Sequence, residues 1–278
     1  MYKFLNENEG EILRKIRGLI LDMDGVLHVG PRPIEGLQTF MDFILRRSLE
    51  LIYVTNNSTM TPEELCERLS GFGIQASDTQ IITSATATAR YLAGIFPDGG
   101  EVFLVGEEGL HQAVKGAGFE VSDKMPMAVV VGLDRQIDYQ KIRTAATAIL
   151  NGARFVACNV DSGAPKSGGI APGAGSMVAA IQAVVQTPPV EIGKPDPRMF
   201  NEAVQRMGLD PEECAAVGDR LDIDIACAHL AGLPSILVLS GMTGPEMIEG
   251  SLYPPDLVYE DVVEMVKRWE LSLGAPGL

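Results

Sequence analysis

Eight short apolar runs punctuate the chain, and nearly all are continuous rather than alternating. They are "GLILD" (18–22), "ELIYVT" (50–55), "EVFLVG" (101–106), "MAVVVG" (127–132), "RFVAC" (154–158), "AAVGD" (215–219), "SILVLS" (235–240) and "DLVY" (256–259). A strand with side chains buried on both faces reads as an unbroken apolar run. Helical patterns lie between these runs. "TPEELCERLSGFG" offers Thr61 as N-cap, Pro62 at the first helical position, Glu64 three residues after the cap, and a glycine stop. "DYQKIRTAATAILNG" and "DPRMFNEAVQRMG" likewise run into glycine. Strand–helix alternation over the whole length predicts an α/β fold with a largely parallel sheet.

The stretch "NVDSGAPKSGGIAPGAGS" (159–176) breaks the pattern and reads as a long irregular loop before the helix "MVAAIQAVVQ". Loops of that length inside compact domains are usually functional or mobile. "TPPV" (187–190) reads as a connector.

With 278 residues, 46% of them hydrophobic and 21% charged, the chain can bury a large core and is too apolar for disorder. The formal net charge of −15 argues against a nucleic-acid partner, which needs a basic face. It also means that an anionic ligand would need a local cation. The four cysteines form no CxxC pair and no zinc spacing, so they read as buried free thiols of a reducing cytosol. The N-terminal stretch is too charged for a signal peptide, and no run of 18 apolar residues offers a membrane span. The expectation is a cytoplasmic protein with no membrane partner.

Four motifs follow strands. Asp22-Met23-Asp24-Gly25 places two carboxylates two residues apart at the carboxyl end of "GLIL", where open α/β sheets bind ligands. An EF-hand reading fails, because Val26 and Pro33 occupy positions that calcium ligands would need. Thr55-Asn56-Asn57-Ser58 offers a hydroxyl and amides for phosphate oxygens, although Asn and Ser also favour turns. In "GKPDP", Lys194 precedes a helix start with Asp196 as N-cap and Pro197 at the first helical position. Either the lysine points into water, or an anion sits between it and the helix. In "VGDRLDIDIA", Asp222 and Asp224 suit the dipole of a first helical turn, while Asp219 follows its strand as Asp22 follows "LIL". Carboxylates from two strand ends could converge on one Mg²⁺, which prefers oxygen ligands.

The order DxDGV, TNNS, GKP, GDRxDxDI resembles the haloacid dehalogenase superfamily of phosphohydrolases. "VTNNSTMTPEEL", "ITSATATARYL" and "PGAGSMVAAI" are similar to its NagD-like or nitrophenyl phosphatase subfamily, and the resemblance runs from about residue 17 to 270. It implies a Rossmann-like three-layer core (1–82 and 188–278) with a mostly parallel sheet, and an inserted, smaller α/β cap domain of the C2 type (83–187). It implies Asp22 as nucleophile and Asp24 as acid and then base. Mg²⁺ would be held by Asp22, the Asp24 carbonyl and Asp219, with Asp224 acting on the ion through a water. Thr55 and the Asn56–Asn57 region would hold phosphoryl oxygens, and Lys194 would neutralise their charge. Asp at position 24 speaks against a dehalogenase.

Asn159 and Asp161, in the 159–176 loop, are the first expected cap contacts to substrate. Relatives selective for pyridoxal phosphate carry a histidine in this loop, and this chain has none there. The histidines are His28, His111 and His229; His28 is close to the site in sequence and reads as a packed or solvated residue. The resemblance implies a Mg²⁺-dependent phosphatase acting on a small-molecule phosphomonoester, with nucleoside monophosphates, sugar phosphates and phosphoglycolate all open. A homodimer through the cap is implied by relatives that form one. The alternatives are a phosphotransferase on the same scaffold and a non-catalytic phosphometabolite-binding protein.

Overall fold

The computed structural model describes residues 8–166 and 169–274. The readings of the first seven residues and of Ser167 and Gly168 lie outside the described residues. The chain divides into two compact units, one of residues 1–55, 66–81 and 195–278, the other of residues 56–65 and 82–194.

In the first unit the strands run in the order Leu257–Tyr259, Ser235–Val238, Cys214–Gly218, Gly18–Leu21 and Glu50–Thr55, and all these pairings are parallel. The chain leaves Gly18–Leu21 for Glu50–Thr55 on one side and later returns to Cys214–Gly218 on the other. The crevice between Gly18–Leu21 and Cys214–Gly218 is therefore the topological switch point, where such sheets bind ligands at their carboxyl ends. All residues of these two strands are buried, which accounts for their unbroken apolar runs. The helices Leu37–Arg47 and Val262–Ser272 pack together, with the Phe43 and Trp269 rings 5.3 Å apart in the core.

The second unit carries its own parallel sheet, ordered Val190–Glu191, Arg154–Ala157, Ala128–Val131, Gly100–Val105 and Phe119–Val121. Val105, Val129, Val131, Phe155, Val178 and Ile181 form the core between this sheet and the helices Tyr139–Leu150 and Ala174–Val185.

The expected strands are all present within a residue or two at each end. Thr61 and Glu64 form the expected capping box: the Thr61 amide donates to the Glu64 carboxylate at 2.8 Å, and the Glu64 amide donates back to the Thr61 hydroxyl at 3.3 Å. Three expectations need correction. Residues 159–176 are not a continuous irregular loop, because Gly163–Lys166 and Gly169–Pro172 pair antiparallel as a hairpin. The helix after it begins at Ala174, three residues before the expected "MVAA" start. The helix after Lys194 begins at Arg198, so Pro197 stands before its first turn; the Asp196 carboxylate still accepts from the Arg198 amide at 3.0 Å. All four cysteines are free. Three are buried, and burial pushes the Cys158 thiol up to about 12 and the Cys214 thiol up to about 11. Among the described residues no helix is long and apolar enough to cross a membrane.

Candidate active site

Two of the expected carboxylates emerge where the fold directs them. Asp22 leaves the buried strand Gly18–Leu21, and its amide donates to the Val217 carbonyl at 2.9 Å in the neighbouring strand. Asp219 leaves Cys214–Gly218, is buried, and accepts from the Met242 amide at 2.7 Å. The third, Asp224, lies in a π-turn, Leu221–Ile225, where "LDIDI" leads into the helix Ala226–Ala231. Such turns often mark functional sites. This one keeps Asp224 buried, with its carboxylate accepting from the Arg220 amide at 3.1 Å.

Asp22, Asp219 and Asp224 each present a carboxylate oxygen, and these oxygens lie within 4.8 Å of one another. Three carboxylates that close, two of them buried, repel one another unless a cation joins them. Mg²⁺ takes oxygen ligands in an octahedron at about 2.0–2.1 Å, so oxygens around it stand at most roughly 4.2 Å apart. Oxygens within 4.8 Å of one another are of the spacing that such an ion would bring together.

Space for Asp219 comes from two glycines. Gly25 adopts φ +87°, and a Cβ there would overlap the Asp219 carboxylate. A Cβ on Gly241 would meet the same carboxylate. The Ser240 hydroxyl donates to the Gly25 carbonyl at 2.6 Å and ties the two turns together.

The Asp24 carboxylate belongs to a different cluster. Its Oδ1 lies 3.5 Å from His28 Nδ1 and 3.7 Å from the Arg68 guanidinium. His28 is fully buried rather than solvated, and its ring lies 5.0 Å from that of Phe72. Burial, opposed by the Asp24 charge, holds this imidazole below its ordinary pKa and therefore neutral. Sequence reasoning missed Arg68, since nothing in "CERLS" distinguishes it from a solvent-facing helix residue.

In the second unit, Asn56 is a hub. Its Oδ1 accepts from the Lys194 amide at 2.9 Å, its Nδ2 donates to the Lys194 carbonyl at 2.9 Å, and Nδ2 also reaches the Asp161 carboxylate at 3.2 Å. The Asn56 carbonyl accepts from Asn159 Nδ2 and from the Ser84 hydroxyl, both at 2.7 Å. Asn159 is buried, and its Oδ1 accepts from the Asp161 amide at 3.2 Å. Asn56, Asn159, Asp161 and Lys194, far apart in sequence, are thus brought together, with Lys194 buried. The Asn57 Oδ1 accepts from the Thr59 and Met60 amides, at 2.7 and 3.1 Å, and shapes a turn. Thr55 is the buried last residue of its strand.

Two family profiles match the chain, that of haloacid dehalogenase-like hydrolases over residues 19–120 and a HAD-hydrolase-like profile over 191–265. An acid sugar phosphatase from Staphylococcus saprophyticus is 35% identical over 93% of this chain and 100% of its own length. The solved structure of NagD from Escherichia coli K-12 superposes with a TM-score of 0.83 at 34% identity, covering 90% of this chain and 98% of that one. A glycerol phosphate phosphatase from Mycobacterium tuberculosis, solved in complex with magnesium, gives a TM-score of 0.85 at 33% identity over 91% of this chain and 77% of that one. The two profiles span the strand ends that carry Asp22 and Asp219, and on these matches the chain belongs to the haloacid dehalogenase-like hydrolases, in their NagD-like branch, as a phosphoric monoester hydrolase.

Proposed function

We propose that this phosphatase hydrolyses a small sugar or polyol phosphate through a phosphorylated Asp22, with Mg²⁺ as its resident ion. The observation that carries this reading is the convergence of Asp22, Asp219 and Asp224 at the switch point of the sheet. The substrate class is supported by the names of the sugar phosphatase and glycerol phosphate phosphatase relatives.

Asp22, Asp219 and the Asp24 carbonyl would hold the ion, with Asp224 beside them. When bound, it supplies positive charge to the phosphoryl oxygens. Phosphoryl transfer is mostly positioning and charge neutralisation, and the chain supplies both. An Asp22 oxygen attacks phosphorus as the bond to the leaving oxygen breaks, and the Asp24 carboxyl gives its proton to that oxygen. Water then attacks the phosphorus, Asp24 takes a proton from it, and inorganic phosphate leaves with the Asp22 carboxylate restored. Lys194 offsets negative charge on the phosphoryl group, and Asn56 fixes the Lys194 backbone through its paired hydrogen bonds. Thr55 and the backbone at 56–57 hold phosphoryl oxygens. Residues 83–187 act as the cap, and Asp161 reads the leaving alcohol. Asn159 acts from beneath, by holding Asn56 and Asp161.

A panel of phosphomonoesters assayed for phosphate release tests this reading. Sugar and polyol phosphates should rank highest by kcat/KM, and exhaustive chelation should abolish turnover until Mg²⁺ is restored. Full turnover after chelation would sink the metal assignment.

A further inference from the structure

Asp24 raises a difficulty that its neighbours resolve. It sits two residues from Asp22, so a cation drawn to Asp22, Asp219 and Asp224 also attracts the Asp24 side chain. A carboxylate engaged with that cation is a poor proton carrier. Yet the Asp24 carboxylate is not among the three that converge.

Its place is set by two side chains. Arg68, in the last turn of the helix Pro62–Ser70, brings its guanidinium within 3.7 Å of Asp24 Oδ1. The same guanidinium donates to the Gly30 carbonyl at 3.4 Å, which fixes its reach. His28 approaches Oδ1 from within the core at 3.5 Å. Its position is fixed as well, because the Gly25 amide donates to the His28 carbonyl at 2.7 Å and the ring packs on Phe72. His28 Nε2 is buried without a hydrogen-bond partner. His28 Nδ1 also lies 3.5 Å from the Arg68 guanidinium, so the imidazole, the guanidinium and Asp24 Oδ1 form one set of mutual contacts. The Asp24 side chain itself is 61% exposed, so packing alone does not select its rotamer.

We propose that Arg68 and His28 are positioning residues that hold the Asp24 carboxylate out of the Asp22–Asp219–Asp224 cluster and keep it free for proton transfer. This rests on the reading of Asp24 as acid and base given above. Neither residue need touch the substrate. Losing them lets Asp24 swing among rotamers and toward the cation.

The chemistry of the leaving group separates this role from a structural one. An alkoxide must be protonated as it leaves, whereas nitrophenolate leaves without a proton. kcat/KM reports the steps through the first phosphoryl transfer, so it isolates the acid. General acid catalysis is worth roughly 10²–10⁴-fold in rate. Arg68→Met keeps the aliphatic stem and removes the charge. At saturating Mg²⁺ it should lower kcat/KM for glycerol phosphate about 10-fold or more, part of that range, and for 4-nitrophenyl phosphate less than about threefold. Arg68→Lys should recover much of the loss, and His28→Phe, which keeps a ring against Phe72, should repeat the selective defect. Equal losses on both substrates, or no loss on either, would overturn the proposal. Asp24→Asn, run alongside, separates the two readings. If it discriminates between the substrates and the Arg68 and His28 variants do not, positioning fails and the acid stands. If Asp24→Asn shows no preference, the assignment of Asp24 as the acid fails, and the proposal falls with it.

Discussion

Gly241 has no side chain, and Asp219 occupies the space one would fill. Even one methyl group at Gly241 must displace the Asp219 carboxylate from its bond with the Met242 amide. Gly241→Ala should therefore weaken Mg²⁺ binding about tenfold or more, on the scale of roughly 1.4 kcal/mol per decade of affinity. Titration calorimetry checks this, with a thermal melt to show that the variant folds; an unchanged Kd would contradict it. At this scale the sequence is informative where chemistry follows directly on a strand. Asp22 and Asp219 each come straight after an apolar run, and that order alone placed them at carboxyl ends. Arg68 could not be read, because its approach to Asp24 depends on how a helix some forty residues downstream packs, whereas His28 stands only four residues from Asp24. The role of Asn56 was only half legible. "TNNS" marked it as polar and strand-terminal, but its paired bonds to the Lys194 backbone span 138 positions.

Among the elements, the 159–176 segment carries the clearest test. Its first residues are fixed to Asn56, while its hairpin Gly163–Lys166/Gly169–Pro172 belongs to neither of the two parallel sheets. Exchanging 163–172 for a relative's segment should reorder the substrate panel while the Mg²⁺ requirement stays the same. An unchanged ranking would move specificity elsewhere in the second unit. The hairpin escaped the sequence reading because "GAPKSGGIAPG" has the glycine and proline content of a loop. A two-stranded ribbon outside a sheet tolerates prolines that a central strand would not. The capping box at Thr61 and Glu64 was legible for the opposite reason: its whole physics fits within four residues. The start of the helix after Lys194 moved by one residue because Asp196 accepts a hydrogen bond there whether or not Pro197 is counted as helical.

At the scale of the whole molecule, strand–helix alternation predicted parallel sheets because strands covered on both faces must be apolar throughout. It could not by itself divide the strands between two sheets; that required the resemblance. The sequence also could not show how strand order creates a switch point, since the order depends on the return of Cys214–Gly218 to the far side of Gly18–Leu21. That return brings Asp219 beside Asp22, almost two hundred residues away. The central claim is that the resulting cluster serves a nucleophile and that the nucleophile is Asp22. Rapid-quench labelling with phosphorus-32 substrate and Mg²⁺, followed by peptide mapping, tests it most directly. The label should appear transiently on the peptide bearing Asp22 at the rate of turnover, and Asp22→Asn should abolish labelling and steady hydrolysis together. Label on Asp24, or steady turnover by Asp22→Asn, would contradict the account.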